Sequence, residues 1–257
     1  MDQLELTEEV RRFWEREACG TSPEIVGGRP SLSQEWFAQI EEHRYRAEPY
    51  IHSVAQFTRH RGKSILEIGV GAGSDHLQWA RAGCDCHGVD LTDTGIETTR
   101  SHLALHGFRS DLRRANAETL PFPDAVFDIV WSWGVIHHAD HPERIVAEIN
   151  RVLKPGGMFL GMMYRRWCGT LLRLWVRRAL LAGRPWRSLR DVTWHHFESK
   201  GTKAYTHSEL RALFAGFSTV EIKAILTSYD GRYLPPFIAH NLPAAAGMFA
   251  AIRATKL

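Results

Sequence analysis

The chain has no uninterrupted apolar run approaching the ~20 residues of a membrane-spanning helix. It opens on MDQLELTEEVRRFWERE, which is acidic and amphipathic, not on a basic and then apolar leader. Cysteine is scarce: Cys19, Cys84, Cys86 and Cys168 are the only four, and they are not spaced as a metal-ligand set. They read as reduced packing thiols of a cytoplasmic protein, with no metal expected. Charge of one sign is also lacking, because a net +3 is too small to imply a nucleic-acid partner. There is no internal repeat and no low-complexity linker. A phosphate-binding loop ending in Gly-Lys-Ser/Thr is absent as well.

What is present is the material for one well-buried domain with room for a small appended element: 257 residues, 44% hydrophobic and 24% charged. From residue 64 to about 165, strand and helix signals alternate. Strands are expected at 64–69, 85–91, 111–117 (the weakest), 126–133 and 158–164, with helices at about 74–82 and 93–106. HPERIVAEINRVL has helical spacing, with Pro142 suited to the first turn and Lys154–Gly157 (KPGG) expected to stop it. This rhythm implies a parallel sheet with helices on both faces. Thr206 and Glu209 have capping-box spacing before a further helix. STVEIKAIL and AAAGMFAAIRAT read as two last strands, joined by a Tyr/Pro-rich segment too long for a tight hairpin. Residues 33–58 read as helical, and the first 30 residues give no clear signal.

SILEIGVGAGSDHLQWARAGCDCHGVD, residues 64–90, holds the main binding signal. Glycines permit a tight turn and a close ligand approach, and the helix that follows offers unpaired N–H groups. A dinucleotide fingerprint needs G-x-G-x-x-G, but after Gly69 and Gly71 the third position is Ser74. The spacing is G-x-G-x-G, ending at Gly73, with Glu67 two residues ahead of the first glycine. An acid there repels a pyrophosphate and suits a cationic ligand.

LEIGVGAG, GVDLT, NAETLPFPDAVFDIVWSWGVIHH and EINRVLKPGG, in this order, resemble class I S-adenosylmethionine-dependent methyltransferases. The likeness is to the branch that includes ubiquinone/menaquinone-biosynthesis and natural-product enzymes, and it covers about residues 62–165. It implies a Rossmann-like α/β fold: a mostly parallel seven-stranded sheet with an antiparallel last strand and helices on both faces. It further implies a helical cap over residues 1–60 and a methyltransferase domain over 61–257 with a lid at 166–205. The implied cofactor is S-adenosyl-L-methionine. The Gly69–Gly73 turn would accommodate its methionine portion, Glu67 its ammonium end and Asp90 both ribose hydroxyls. Leu91 would cover one adenine face, while Asn116 (where the family usually has Asp) and Ala117 would meet the adenine edge. Trp133 and Gly134 would lie near the methionine portion, and Tyr45 on the preceding helix would contact it. Asp90 capping the next helix and Glu118 as a surface acid are the plainer alternatives.

The acceptor is read as a small molecule: a secondary metabolite, lipid or quinone-like compound. WSWGVIHH is not the Asp/Asn-Pro-Pro-Tyr motif that handles nucleic-acid amino groups, so no nucleic acid is expected. His137 and His138 are candidate general bases, or else they orient their loop. Tyr164 can orient the acceptor or simply pack, and His195, His196 and Tyr205 are further acceptor-side candidates. Between Arg165 and Arg190 stand eight arginines and no acid. That segment reads as a surface helix with solvated arginines, a lid gripping an anionic acceptor, or a peripheral membrane contact over 166–190. A dehydrogenase-like dinucleotide protein and a non-catalytic S-adenosylmethionine-binding module are the competing functions.

Overall fold

The computed structural model describes residues 3–257 apart from 17, 19, 232–236 and 238–240. Among the described residues four α-helices, and a short 3-10 turn at Phe57–His60, precede the first strand: α1 (Gln3–Arg16), α2 (Pro23–Val26), α3 (Gln34–Ala47) and α4 (Ile51–Ala55). In α1, Leu6 and Val10 are four residues apart and both buried, so a segment with no clear sequence signal docks by one apolar stripe. The continuous helix expected over 33–58 breaks after Ala47. Glu48 precedes Pro49 and takes a non-helical φ of −130° and ψ of 60°, because the proline ring crowds a helical neighbour.

The alternating region follows as β1 (Ser64–Ile68), α5 (Ser74–Arg81), β2 (Asp85–Asp90), α6 (Asp93–Leu105), β3 (Asp111–Arg114), β4 (Phe127–Trp133), α7 (Pro142–Val152) and β5 (Leu153–Tyr164). Then come α8 (Gly169–Trp175), α9 (Leu189–His196), α10 (His207–Leu213), β6 (Thr219–Ile225), α11 (Ser228–Gly231) and β7 (Phe249–Thr255). Two boundaries differ from expectation. β3 stops at Arg114, freeing residues 115–117 to turn toward the ligand side of the sheet. Helix α7 ends at Val152, so Lys154–Gly157 does not stop it but begins β5. The register with β4 shifts there, between Phe127 and Ile129.

The seven strands form one sheet in the order β3-β2-β1-β4-β5-β7-β6. All neighbours pair in parallel except β7, which runs antiparallel between β5 and β6. Successive residues of a strand face opposite sides. Ile65, Trp131 and Leu160 therefore join one core with Leu77 and Trp79, and Leu66, Val130 and Phe159 join the other with Ile145 and Ile149. The order reverses between β1 and β4, and their carboxyl ends diverge into a crevice where ligands of such sheets bind. Among the described residues no helix is long and apolar enough to cross a membrane.

Cys84, Cys86 and Cys168 are free thiols, and burial pushes the thiols of Cys84 and Cys168 up to about 11. Cys19, and residues 232–236 and 238–240 of the Tyr/Pro-rich connection between β6 and β7, lie outside the described residues.

Two stability predictions follow from this packing. The capping box at α10 is complete: Thr206 Oγ1 accepts from the Glu209 N–H, and Glu209 Oε2 accepts from the Thr206 N–H. Thr206→Ala should lower the unfolding free energy by about 1 kcal/mol in urea denaturation. His102 is buried, stacked 4.0 Å from Phe37, with Nδ1 donating to the Ala72 carbonyl. Burial lowers its pKa to about 4, against 6.5 in the unfolded chain. The unfolded state takes up this proton first, so stability should fall as pH drops from about 6.5 to 4, by up to ~3 kcal/mol. A His102→Asn variant, which can keep the bond to Ala72, should show a smaller drop in urea midpoint between pH 7 and 5.

Candidate functional site

The crevice at the carboxyl ends of β1, β2 and β4 is a cleft walled by the glycine turn and covered by Thr7, Val10 and Trp14 of α1. Gly69, Gly71 and Gly73 all have positive φ (82°, 52° and 77°), a region that disfavours any side chain. Their surroundings differ. A Cβ on Gly69 would come within 2.3 Å of Val135 Cγ2, and one on Gly73 within 3.1 Å of the Thr99 backbone. A Cβ on Gly71 would meet no protein atom within 4 Å, and that residue lines the cleft.

Asp90, at the tip of β2, holds this turn and the next helix together. Its Oδ2 accepts from the Gly71 N–H at 3.0 Å, and its Oδ1 from the Thr92 N–H and hydroxyl at 2.9 and 2.7 Å. Thr92 is the residue that caps α6, so the capping alternative for Asp90 holds indirectly, while the carboxylate also lines the cleft. Leu91, Ala115, Asn116 and Ala117 form the adjoining wall. Asn116 Oδ1 accepts from the Glu118 N–H, which closes the turn after β3. Glu118 is not a surface acid: its side chain is 8% exposed and Oε1 accepts from the His141 N–H.

Glu67 is buried beside the turn, and its state follows from its neighbours. Ser110 donates its only hydroxyl proton to the Cys86 carbonyl, so His76 Nε2 must donate to Ser110 Oγ. Burial lowers the His76 pKa to about 3, and burial, then the charges of Asp75 and Asp90, raise that of Glu67 well above its usual range. The neutral imidazole therefore accepts at Nδ1, and Glu67 carries the proton of their 3.0 Å contact.

The opposite wall comes from α3 and β4. Asp75, in the first turn of α5, is 1% exposed and accepts from Arg44 at 2.9 and 2.5 Å, Tyr45 Oη at 3.0 Å and Trp131 Nε1 at 3.2 Å. Tyr45 stands behind Asp75 and does not line the cleft; Arg44 and Glu48 of the same segment do. Glu48 accepts from Trp133 Nε1 at 2.5 Å, and burial raises its pKa. Trp133 stacks on Trp131 at 5.0 Å and lines the cleft beside Gly134.

The third corner contains His138, Tyr164 and Glu198. His138 Nδ1 is 3.0 Å from both Thr202 Oγ1 and Ser199 Oγ, which orients the ring. Its Nε2 lies 3.3 Å from Glu198 Oε2, at ion-pair distance but without hydrogen-bond alignment. The Tyr164 hydroxyl donates to Glu198 at 3.0 and 3.1 Å, and Trp14 packs edge-on to His138 at 5.2 Å. Glu198 has φ 53°, a left-handed backbone that costs of order 1–3 kcal/mol for a non-glycine residue and is often found at functional positions. His137 does not line the cleft; it is fully buried, and burial pulls its pKa well down. The ligand atoms of His137, His138 and Glu198 lie within 4.8 Å of one another, the one group of metal-ligating type found among the described residues.

His195 and His196 lie on the exposed side of α9, bonded to Asp191 and Arg187, and Tyr205 packs under α10; none of the three lines the cleft. Of residues 166–205 only Glu198 does. Sequence reasoning did not single out Glu198 within the expected lid, nor α1 within the expected cap over 1–60, although the amphipathic start of the chain was a usable signal for the latter. Seven carboxyl side chains line the cleft, Asp140 with the six described above, against one arginine, Arg44, and no lysine among the described residues.

Comparison with known proteins agrees with this fold. Residues 66–161 match the family described as a methyltransferase domain. A phthiotriol/phenolphthiotriol dimycocerosates methyltransferase from Mycobacterium tuberculosis is 38% identical over 100 residues, 38% of this chain and 36% of that protein. A ubiquinone biosynthesis O-methyltransferase from Maricaulis maris is 33% identical over 127 residues, 49% of this chain and 47% of that protein. The chain thus spans less than half the length of these curated relatives. The crystal structure of geranyl diphosphate C-methyltransferase from Streptomyces coelicolor superposes with a TM-score of 0.62 and 17% identity, covering 98% of each chain. Residues 66–161 thus match a methyltransferase domain, within a chain that has the fold of class I S-adenosylmethionine-dependent methyltransferases.

Proposed function

We propose that this chain is a cytoplasmic enzyme that binds S-adenosyl-L-methionine in the cleft and moves its methyl group to a small-molecule acceptor by in-line displacement. One observation carries the reading: a glycine turn opens onto a cleft rich in carboxyl groups and poor in cations. A pyrophosphate would be repelled there, whereas a sulfonium and an ammonium would be favoured. Asp90 takes the ribose hydroxyls, Leu91 covers the adenine, and Asn116 and Ala117 meet its edge. Glu67, the open face at Gly71, and Trp133 receive the methionine portion. The bound cofactor supplies a methyl group already activated by its sulfonium.

The chain's own contribution is alignment and exclusion of water, which can lower the barrier by roughly 7–11 kcal/mol. Residues 1–60 act as a cap over the 61–257 domain. In support, α1 is anchored by Glu15 to Thr94 at the start of α6 and by Glu9 to Lys200. Trp133, Met162, Tyr164 and Phe249 give the acceptor side of the cleft an apolar lining, suited to a lipid, quinone-like or other secondary metabolite. Where the acceptor must lose a proton, His138 Nε2 and Glu198 receive it, and Tyr164 holds the carboxylate in place. His137 supports the loop from behind.

Two experiments test this. Asp90→Asn keeps the side-chain shape but removes the charge, so it should weaken S-adenosylhomocysteine binding about 10–100-fold by calorimetry. Gly71→Val should abolish binding while the protein stays folded. Unchanged affinity in both would remove the cofactor assignment. The second uses transfer of a labelled methyl group to candidate acceptors: Glu198→Gln should lower kcat about 100-fold or more for a protic acceptor and leave S-adenosylhomocysteine affinity unchanged. An undiminished kcat would exclude Glu198 from proton handling.

A further inference from the structure

The arginine-rich segment between α8 and α9 has no part in the cleft, yet it is a built feature. After α8 the helix widens over Val176–Leu180, and the chain then turns back through Gly183, at φ 69°. The turn is tied by Leu181 N–H to Val176 O, Gly183 N–H to Leu180 O and Arg184 N–H to Ala179 O. Its base is closed by Trp175 Nε1 donating to the Arg187 carbonyl at 2.6 Å. Ala179 and Leu189 are buried and anchor the tip to the domain.

The tip is the reverse of an ordinary solvated surface. Leu180, Leu181 and Trp186 are 47%, 76% and 77% exposed. Around them stand Arg177, Arg178 and Arg184, all exposed. The arginines of this segment that have work inside the fold are elsewhere: Arg166 and Arg190 pair with Glu209, Arg187 pairs with Asp191, and Arg165 binds the carbonyls of Ala245 and Gly247. No acid pairs with Arg177, Arg178 or Arg184 among the described residues. The reading of this segment as a helix that packs its apolar side inward therefore fails at the tip, where the apolar side chains point to water.

We propose that this tip docks on the surface of a bilayer containing anionic lipid, with Leu180, Leu181 and Trp186 entering the headgroup region and Arg177, Arg178 and Arg184 meeting lipid phosphates. The two halves of the pattern require this partner together. Guanidinium groups suit phosphate, but a nucleic-acid backbone or an acidic protein has no use for exposed leucines. Apolar side chains alone would suit a second protein, but not inside a ring of unpaired arginines. An indole at the boundary of water and hydrocarbon, flanked by cations, matches the membrane interface. The inference goes beyond methyl transfer and does not depend on it.

Co-sedimentation with vesicles tests it. The full chain should partition onto phosphatidylcholine vesicles that contain about a third phosphatidylglycerol, scarcely onto phosphatidylcholine alone, and be released by salt. Arg177→Ser with Arg178→Ser should weaken partitioning about thirtyfold. Leu181→Asp with Trp186→Ser should weaken it at least as much, and neither pair should move the urea midpoint, because these side chains are exposed. The proposal is overturned if the wild type ignores anionic vesicles at low salt, or if both pairs bind as it does. It is equally overturned if the tip instead drives self-association lost in Leu181→Asp, or binds a short RNA irrespective of Leu181 and Trp186.

Discussion

The buried carboxylate of Asp75 is the junction on which the rest of the site depends. It lies in the first turn of α5, directly after the glycine turn, and draws three donor side chains from two other elements: Arg44 and Tyr45 on α3, and Trp131 on β4. A buried charge is tolerated only when it is paired and hydrogen-bonded. Here the need for partners fixes the geometry. Satisfying Asp75 sets the rotation of α3, which puts Arg44 and Glu48 at the cleft and leaves Tyr45 behind. It also holds the Trp131 indole, on which Trp133 stacks. Removing Arg44 would leave a buried carboxylate without its counter-charge, so helix, strand and turn stay in register as a unit.

The same economy of charge governs the cleft as a whole. So many acids in one pocket would repel one another, and the fold resolves this locally. Glu67 keeps its proton against His76, Glu48 is raised by burial and holds Trp133, and Asp75 is neutralised by Arg44. Asp90 stays oriented by backbone and hydroxyl donors. The pocket is thus pre-arranged for positive charge without the self-repulsion its composition suggests.

How much of this was legible in the sequence depended on whether the cause was local. The strands from Ser64 to Tyr164 were readable because buried parallel strands are short apolar runs between helices of different period. Thr206 and Glu209 announced their cap because both partners lie within one turn. Gly69, Gly71 and Asp90 could be placed because strand ends converge at the switch point whatever surrounds them. Glu198 could not: it reaches His138 from sixty residues away through a strained backbone that no local pattern encodes. His137 and His138 look equivalent in the chain, yet one packs behind the loop and the other faces the cleft. Tyr45 and Arg44 are neighbours on one helix, and only the demand of Asp75 decides which reaches the ligand side. For α1, the stripe was present in the sequence, but its docking surface on α6 was not.

The three glycines of the turn look alike in sequence but answer to different masters. Gly69 is held by Val135 and Gly73 by the Thr99 backbone, both parts of the protein itself, whereas Gly71 borders open space. In evolutionary terms, the protein's own atoms close the first and third positions to a side chain, whereas at the second only the positive φ opposes one. A descendant of this chain could therefore drift at position 71, lose its ligand and keep its architecture. A scaffold so divided is one from which a new role can arise at the cost of backbone strain alone, without a clash in the core.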